Sequence, residues 1–148
     1  MTLANEQGSP GGEPYDWYQR ANGLLASGNS NAAVILFERV LKEDKSPAVL
    51  EGLGRALFDA KRYEECVEVF EELVTTSPDN DYAHFALGLG LWRLQRFITA
   101  RDHLAMAFVM RPDRSDYATS LTQVKATLRF RVEEGLPLEG PIQGQDNL

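Results

Sequence analysis

The chain has 148 residues, 43% of them hydrophobic and 25% charged, close to the globular average, so it can bury one core and is too short for two comfortable domains. Its formal charge of −7 speaks against a nucleic-acid partner, because neutralising a phosphate backbone takes a dense basic surface. Cys66 is the one cysteine, which excludes an internal disulfide and fits a reducing compartment, and the two histidines, His84 and His103, lack the close ligand spacing of a zinc site.

Residues 1–13 contain Gly8, Ser9, Pro10, Gly11 and Gly12 and predict a flexible lead, either a plain tail or a short recognition motif. No basic stretch followed by an apolar core opens the chain, and no 18 apolar residues run together, so no membrane partner is expected and the cytoplasm is the simplest location. From Pro14, helical spacing takes over: Trp17, Ala21, Leu24 and Leu25 precede a break at Gly28-Asn29-Ser30, and Ala33, Ile35, Leu36, Phe37, Val40 and Leu41 resume the period. This predicts a helical hairpin.

Ser46-Pro47 is a helix opening, with a side-chain acceptor at the cap and a ring that needs no amide hydrogen in the first turn. That helix is expected to reach about Ala60, to turn at Lys61-Arg62, and to be followed by a partner from Tyr63 to about Thr76 that stops before Pro78. Asn80 caps a third hairpin with helices at about 81–94 and 97–110, closed by Pro112. A last helix is expected from about Ser115 to Glu134, with Tyr117, Leu121, Val124, Leu128 and Val132 as its apolar stripe and Gly135 as its end. Residues 135–148 predict an irregular tail in which Leu136, Leu138 and Ile142 are apolar.

The hairpins are one unit written three times. A shift of 34 residues superposes Leu53 on Leu87, Gly54 on Gly88, Leu57 on Leu91, Cys66 on Ala100, Phe70 on Leu104 and Pro78 on Pro112. A shift of 33 superposes Trp17 on Leu50, Ala21 on Gly54, Leu24 on Leu57, Ala33 on Cys66 and Phe37 on Phe70. A fixed period of this length marks a stacked array whose units bury their apolar faces only against neighbours. Glycine costs about 1 kcal/mol relative to alanine inside a helix, so glycines recurring in phase call for close helix packing.

This pattern resembles the tetratricopeptide repeat, with its W-x2-L-G-x2-Y, A-x3-F and closing P signature. The third copy reads His84-x2-Leu87-Gly88-x2-Leu91, Ala100-x3-Leu104, Pro112, and the second Leu50-x2-Leu53-Gly54-x2-Leu57, Cys66-x3-Phe70, Pro78. The first keeps Trp17, Leu24, Ala33 and Phe37 but has Arg20-Ala21 for Leu-Gly and no closing proline. The resemblance implies an all-α, α-α superhelix of about seven helices over residues 14–134, with repeats at about 14–46, 47–80 and 81–114 and a capping helix at 115–134. It also implies a concave groove lined by the first helix of each hairpin, in which a peptide or protein segment lies. The residues expected to bind there are Tyr18, Asn22, Arg55, Phe58, Tyr82, Phe85, Leu89 and Trp92, with Tyr15, Leu25, Glu51, Asp59 and Arg93 on the same faces.

A variant of the family clamps a chaperone's C-terminal carboxylate with basic and amide side chains. Here Tyr18, Gly52, Tyr82 and Ala86 stand at most of those places and only Asn22 matches, so an apolar or amphipathic segment is the better expectation. Two alternatives stay open: self-association into a homo-oligomer through the same rings, and occupation of the groove by the chain's own C-terminal tail.

Catalysis is not expected. Glu64, Glu65, Glu68, Glu71 and Glu72 crowd one helix face, which fits a solvated surface or a dock for a basic partner rather than a tuned acid-base pair. Leu87-Gly88-Leu89-Gly90 lies in mid-helix with no strand before it, so a phosphate loop fails its context. His84 reads as a satisfied core side chain, His103 as partly exposed, and Cys66 as a packing residue. Neither a cofactor nor a metal is called for.

Overall fold

The computed structural model describes residues 13–142; the expected lead at 1–12 and the last residues of the tail, 143–148, lie outside that range. The described residues form seven α-helices and no strand: α1 Pro14–Ala26, α2 Ser30–Leu41, α3 Pro47–Asp59, α4 Tyr63–Thr76, α5 Asp81–Arg93, α6 Phe97–Met110 and α7 Ser115–Glu133. They fall into two compact units, Met1–Val69 and Phe70–Leu148, with the boundary inside α4.

Local chemistry sets the helix ends. Ser46 Oγ accepts the Val49 amide at 3.4 Å to open α3, and Asn80 Oδ1 accepts the Ala83 amide at 3.0 Å to open α5. Each hairpin turn is closed by a left-handed residue: Gly28 at φ 88°, Lys61 at 63° and Gln95 at 61°. At each, the amide of that residue donates to the carbonyl three back and the next amide to the carbonyl five back. The pairs are Gly28 to Leu25 and Asn29 to Leu24, Lys61 to Phe58 and Arg62 to Leu57, Gln95 to Trp92 and Arg96 to Leu91. This double bond pair satisfies the orphan carbonyls of a helix C-terminus. Gly135, at φ 68°, repeats it at the end of α7, through Gly135 to Val132 and Leu136 to Arg131.

In the first unit α2 packs on both α1 and α3. Ala21, Ala33, Val34, Phe37, Val40, Leu50, Leu53 and Leu57 are buried there. A Cβ on Gly52 would run into the Phe37 ring, so the missing side chain is what lets α3 approach α2. In the second unit α6 packs on both α5 and α7, around Phe70, Leu73, Leu87, Leu91, Ala100, Leu104, Tyr117 and Val124. A Cβ on Gly88 would lie 2.6 Å from Leu104 Cγ and 3.2 Å from the Ala100 carbonyl, so this glycine serves the packing of α5 on α6 within one hairpin.

One expectation about the C-terminal part needs correction. The buried stripe of α7 is Tyr117, Leu121, Val124, Leu128 and Arg131, whereas Val132 is 63% exposed. The arginine takes the core position because its guanidinium lies 4.8 Å over the Phe97 ring and Nη1 donates to the carbonyls of Pro137 and Gly140, at 2.9 and 2.7 Å. Those bonds, with the Gly140 amide on the Gln95 carbonyl and Glu139 Oε2 on the Ile98 amide, tie residues 136–140 down as a strap over the α5–α6 turn. The described part of the tail is therefore anchored at this turn.

Candidate functional site

The expected binding residues divide between the units. In the first, Tyr18 is half-buried with its ring edge-on to Phe37, centroids 6.1 Å apart. Together with Pro14, Tyr15, Val40, Asp44, Ser46, Ala48 and Val49 it lines a half-open cleft of about 260 Å³. Tyr15 is 66% exposed, and its hydroxyl accepts a 2.7 Å bond from Gln19 Nε2 one turn on, which orients the phenol at the mouth. Helix spacing puts Tyr15 and Tyr18 on one side of α1, and Ser46-Pro47 starts α3 beside them. Asn22 is half-buried, Arg55 exposed, and Phe58 half-buried edge-on to Tyr63 at 5.3 Å; none of these three lines the cleft, and Leu25, expected on the same face, is buried in the core instead.

In the second unit the rings form a run. Tyr82 is half-buried between Phe70 at 6.3 Å and Phe85 at 6.2 Å, and Phe85 stacks on Tyr117 at 4.6 Å. Phe85 is only 8% exposed and so does not stand open as the sequence suggested, because Tyr117 of α7 covers it. Burial first, and then the hydrogen bond that its hydroxyl donates to Asp81 Oδ2 at 2.6 Å, push the Tyr117 phenol well above its usual range. Leu89 and Trp92 are half-buried, and Trp92 sits edge-on to Phe97 at 5.2 Å.

The chemistry-bearing residues have structural partners. His84 is 3% exposed, with Nε2 at 2.9 Å from the Pro78 carbonyl and Nδ1 at 3.0 Å from His103 Nδ1. Burial, with a smaller contribution from Asp59, pushes the Cys66 thiol up to about 12, which removes the thiolate needed of a nucleophile. Arg62 holds Glu65 through two bonds of 2.8 and 2.9 Å and keeps that carboxyl below its usual range. Among the described residues no group of three or more His, Cys, Asp or Glu side chains is placed to hold a metal, and no helix is long and apolar enough to cross a membrane.

Sequence reasoning placed Tyr15 and Tyr18 on the binding face but missed Val40, Asp44, Ala48 and Val49 as walls. They come from the end of α2, the loop after it and the start of α3, outside the face that repeat periodicity singles out.

Stacked helical hairpins with in-phase small residues define a helical-repeat protein. The family model described as a tetratricopeptide repeat matches residues 18–81. No curated protein matches the chain by sequence. Among solved structures, the chain is similar to the Sgt2 TPR domain from Aspergillus fumigatus, at 16% identity and a TM-score of 0.77 over 95% of this chain and 97% of that one. MamA from Desulfovibrio magneticus RS-1 is 23% identical with a TM-score of 0.73 over 77% of this chain; the match spans 65% of the MamA chain. The first TPR of Spaghetti (RPAP3), solved bound to the HSP90 peptide SRMEEVD, is 14% identical with a TM-score of 0.75 over 78% of this chain and 93% of that one. At these identities the likeness is one of fold.

Proposed function

We propose that the chain is a noncatalytic, cytoplasmic protein-interaction module that takes an apolar or amphipathic peptide segment on the first helices of its hairpins. The observation that carries this is the cleft of the first unit, where an exposed and a half-buried tyrosine face Val40 and Val49. Aromatic side chains on a concave apolar surface are the usual anchors of peptide recognition. The match of the tetratricopeptide repeat model to residues 18–81, and the peptide bound to the structurally similar first TPR of RPAP3, support the same reading. Asn22, Arg55 and Phe58 extend the surface in the first unit, and Tyr82, Leu89 and Trp92 offer a second one. Phe85 lies beneath, holding Tyr82 rather than touching a ligand.

Peptide display against the whole chain, followed by fluorescence anisotropy on the selected peptide, tests the proposal. Removing a ring worth about 1.5 to 3 kcal/mol of burial predicts at least a roughly tenfold weaker Kd for Tyr18→Ala. The acidic peptide SRMEEVD is expected to bind poorly, since Tyr18, Gly52, Tyr82 and Ala86 offer it no cation. Selected peptides whose affinity ignores Tyr15→Ala and Tyr18→Ala would defeat the assignment of the cleft.

Self-association is the second reading, favoured by exposed apolar side chains outside the expected groove: Ile35 at 67% in the first unit, and Val109 at 76% and Phe130 at 53% in the second. Light scattering over a concentration series separates the readings, because only self-association makes the mass rise with concentration.

A further inference from the structure

The two histidines of this chain meet each other, and the bonds they make fix how their protons are arranged. A carbonyl only accepts, so His84 Nε2 carries the hydrogen that it donates to Pro78. Neutral His84 then has its lone pair on Nδ1, and the facing Nδ1 of His103 at 3.0 Å is the donor. His103 is left with its own lone pair on Nε2, on a half-buried ring stacked at 21° against its partner. One added proton fits this pair, on His103 Nε2. It places a charge on the half-buried His103 ring.

We infer that the His84–His103 pair is an acid-sensitive latch in the second unit, joining α6 through α5 to the Pro78 turn, and that it loosens as His103 takes up a proton. Pro78 also walls an open cleft with Asp79, Asp81, Met110 and Arg111, so the latch holds one side of a surface feature in place.

The surrounding charges leave His103 as the titrating ring of the pair. Asp102, next to His103 on α6, is engaged by Arg101 at 3.2 Å. Asp81, one turn before His84 on α5, accepts from Tyr117 of α7, and Arg111 at the end of α6 is bound to Asp113. Arg114, just before α7, is bound to Asp116, and Asp79 adjoins Pro78 in the turn. Of these groups Asp102 favours a charged His103, whereas burial first and His84 second disfavour it, so its affinity for a proton falls below that of a free histidine.

The sign follows from linkage. Above about pH 6.5, the ordinary histidine value, both folded and unfolded chains hold a neutral ring and stability is at its full value. As pH falls through that value the unfolded chain takes up the proton first, and stability is lost until the folded ring protonates as well. The chain has only these two histidines, and ordinary carboxylates titrate lower, so a stability slope between about pH 7 and 5 reports on this pair.

The test uses the whole chain. Long-range nitrogen–proton NMR correlations at pH 7.5 are expected to show His84 as the Nε2–H tautomer and His103 as the Nδ1–H tautomer. Urea midpoints are expected to fall from pH 7.5 to pH 5. In His103→Asn, whose amide can donate to His84 Nδ1 but cannot titrate, the midpoint at pH 7.5 should hold and the fall should shrink. Two Nε2–H tautomers, a flat wild-type profile, or an unchanged slope in His103→Asn would each overturn the latch. If His103→Asn fails to fold, the tautomers and titration curves of the wild-type rings decide alone.

Discussion

Lys61 and Gln95 hold the left-handed backbone that glycine holds at position 28, and side chains pay about 1 to 2 kcal/mol for that conformation. Part of the gain from glycine is returned through the greater freedom of the unfolded chain. Lys61→Gly and Gln95→Gly are therefore expected to stabilise by about 0.5 to 1 kcal/mol in urea denaturation. Gly28→Ala should destabilise by about 1 kcal/mol or more for the same reason.

Two helical glycines should respond in opposite directions. A methyl at Gly23 meets nothing within 4 Å, so Gly23→Ala gains helix propensity of about 0.5 to 1 kcal/mol. At Gly88 that gain competes with contacts against Leu104 and the Ala100 backbone, and overpacking of about 1 to 3 kcal/mol makes Gly88→Ala destabilising. The recurrence of glycine every 34 residues was legible in the sequence. Which neighbour demands it was not, because periodicity does not say whether the close approach lies inside a hairpin or beyond it.

At the scale of elements, the boundaries were legible wherever a cap or a proline marks them: α4 and α6 end where Pro78 and Pro112 foretell, and α3 and α5 start at their capping Ser46 and Asn80. The register of α7 was not. A hydrophobic pattern favours Val132 over its neighbour Arg131, and only the strap supplies the carbonyls that make a buried guanidinium stable. The strap itself was invisible because it joins residues 41 apart, Ile98 and Glu139. Glu139 acts there as a cap for the first turn of α6, a role normally filled by a residue at the helix's own start. Glu139→Ala should lower stability by about 0.5 to 2 kcal/mol and speed exchange of the Ile98 amide hydrogen. Arg131→Met, which keeps the apolar stem but removes the donors, should loosen the strap further, with faster exchange at Gly140.

For the molecule as a whole, the class of fold could be read in advance because a repeat writes the same packing problem several times, and agreement between copies outweighs any single residue. The candidate site was less readable. A helix face tells which side chains share a direction, but not what another element lays over them: Phe85 shares its face with Tyr82 and Leu89, yet Tyr117 covers it. The walls of the first cleft were missed for the complementary reason, since Val40 and Val49 belong to other helices. Binding of an apolar segment there predicts a Kd that changes little between low and high salt, whereas a basic partner drawn to the overall charge of −7 would weaken steeply.

The two indoles sit in different halves, Trp17 beneath Arg39 at 5.6 Å in one and Trp92 against Phe97 in the other. Each half thus carries a built-in optical probe. Replacing one indole by phenylalanine leaves the other to report alone, so emission recorded during denaturation shows whether the halves melt together or in turn, with no label attached.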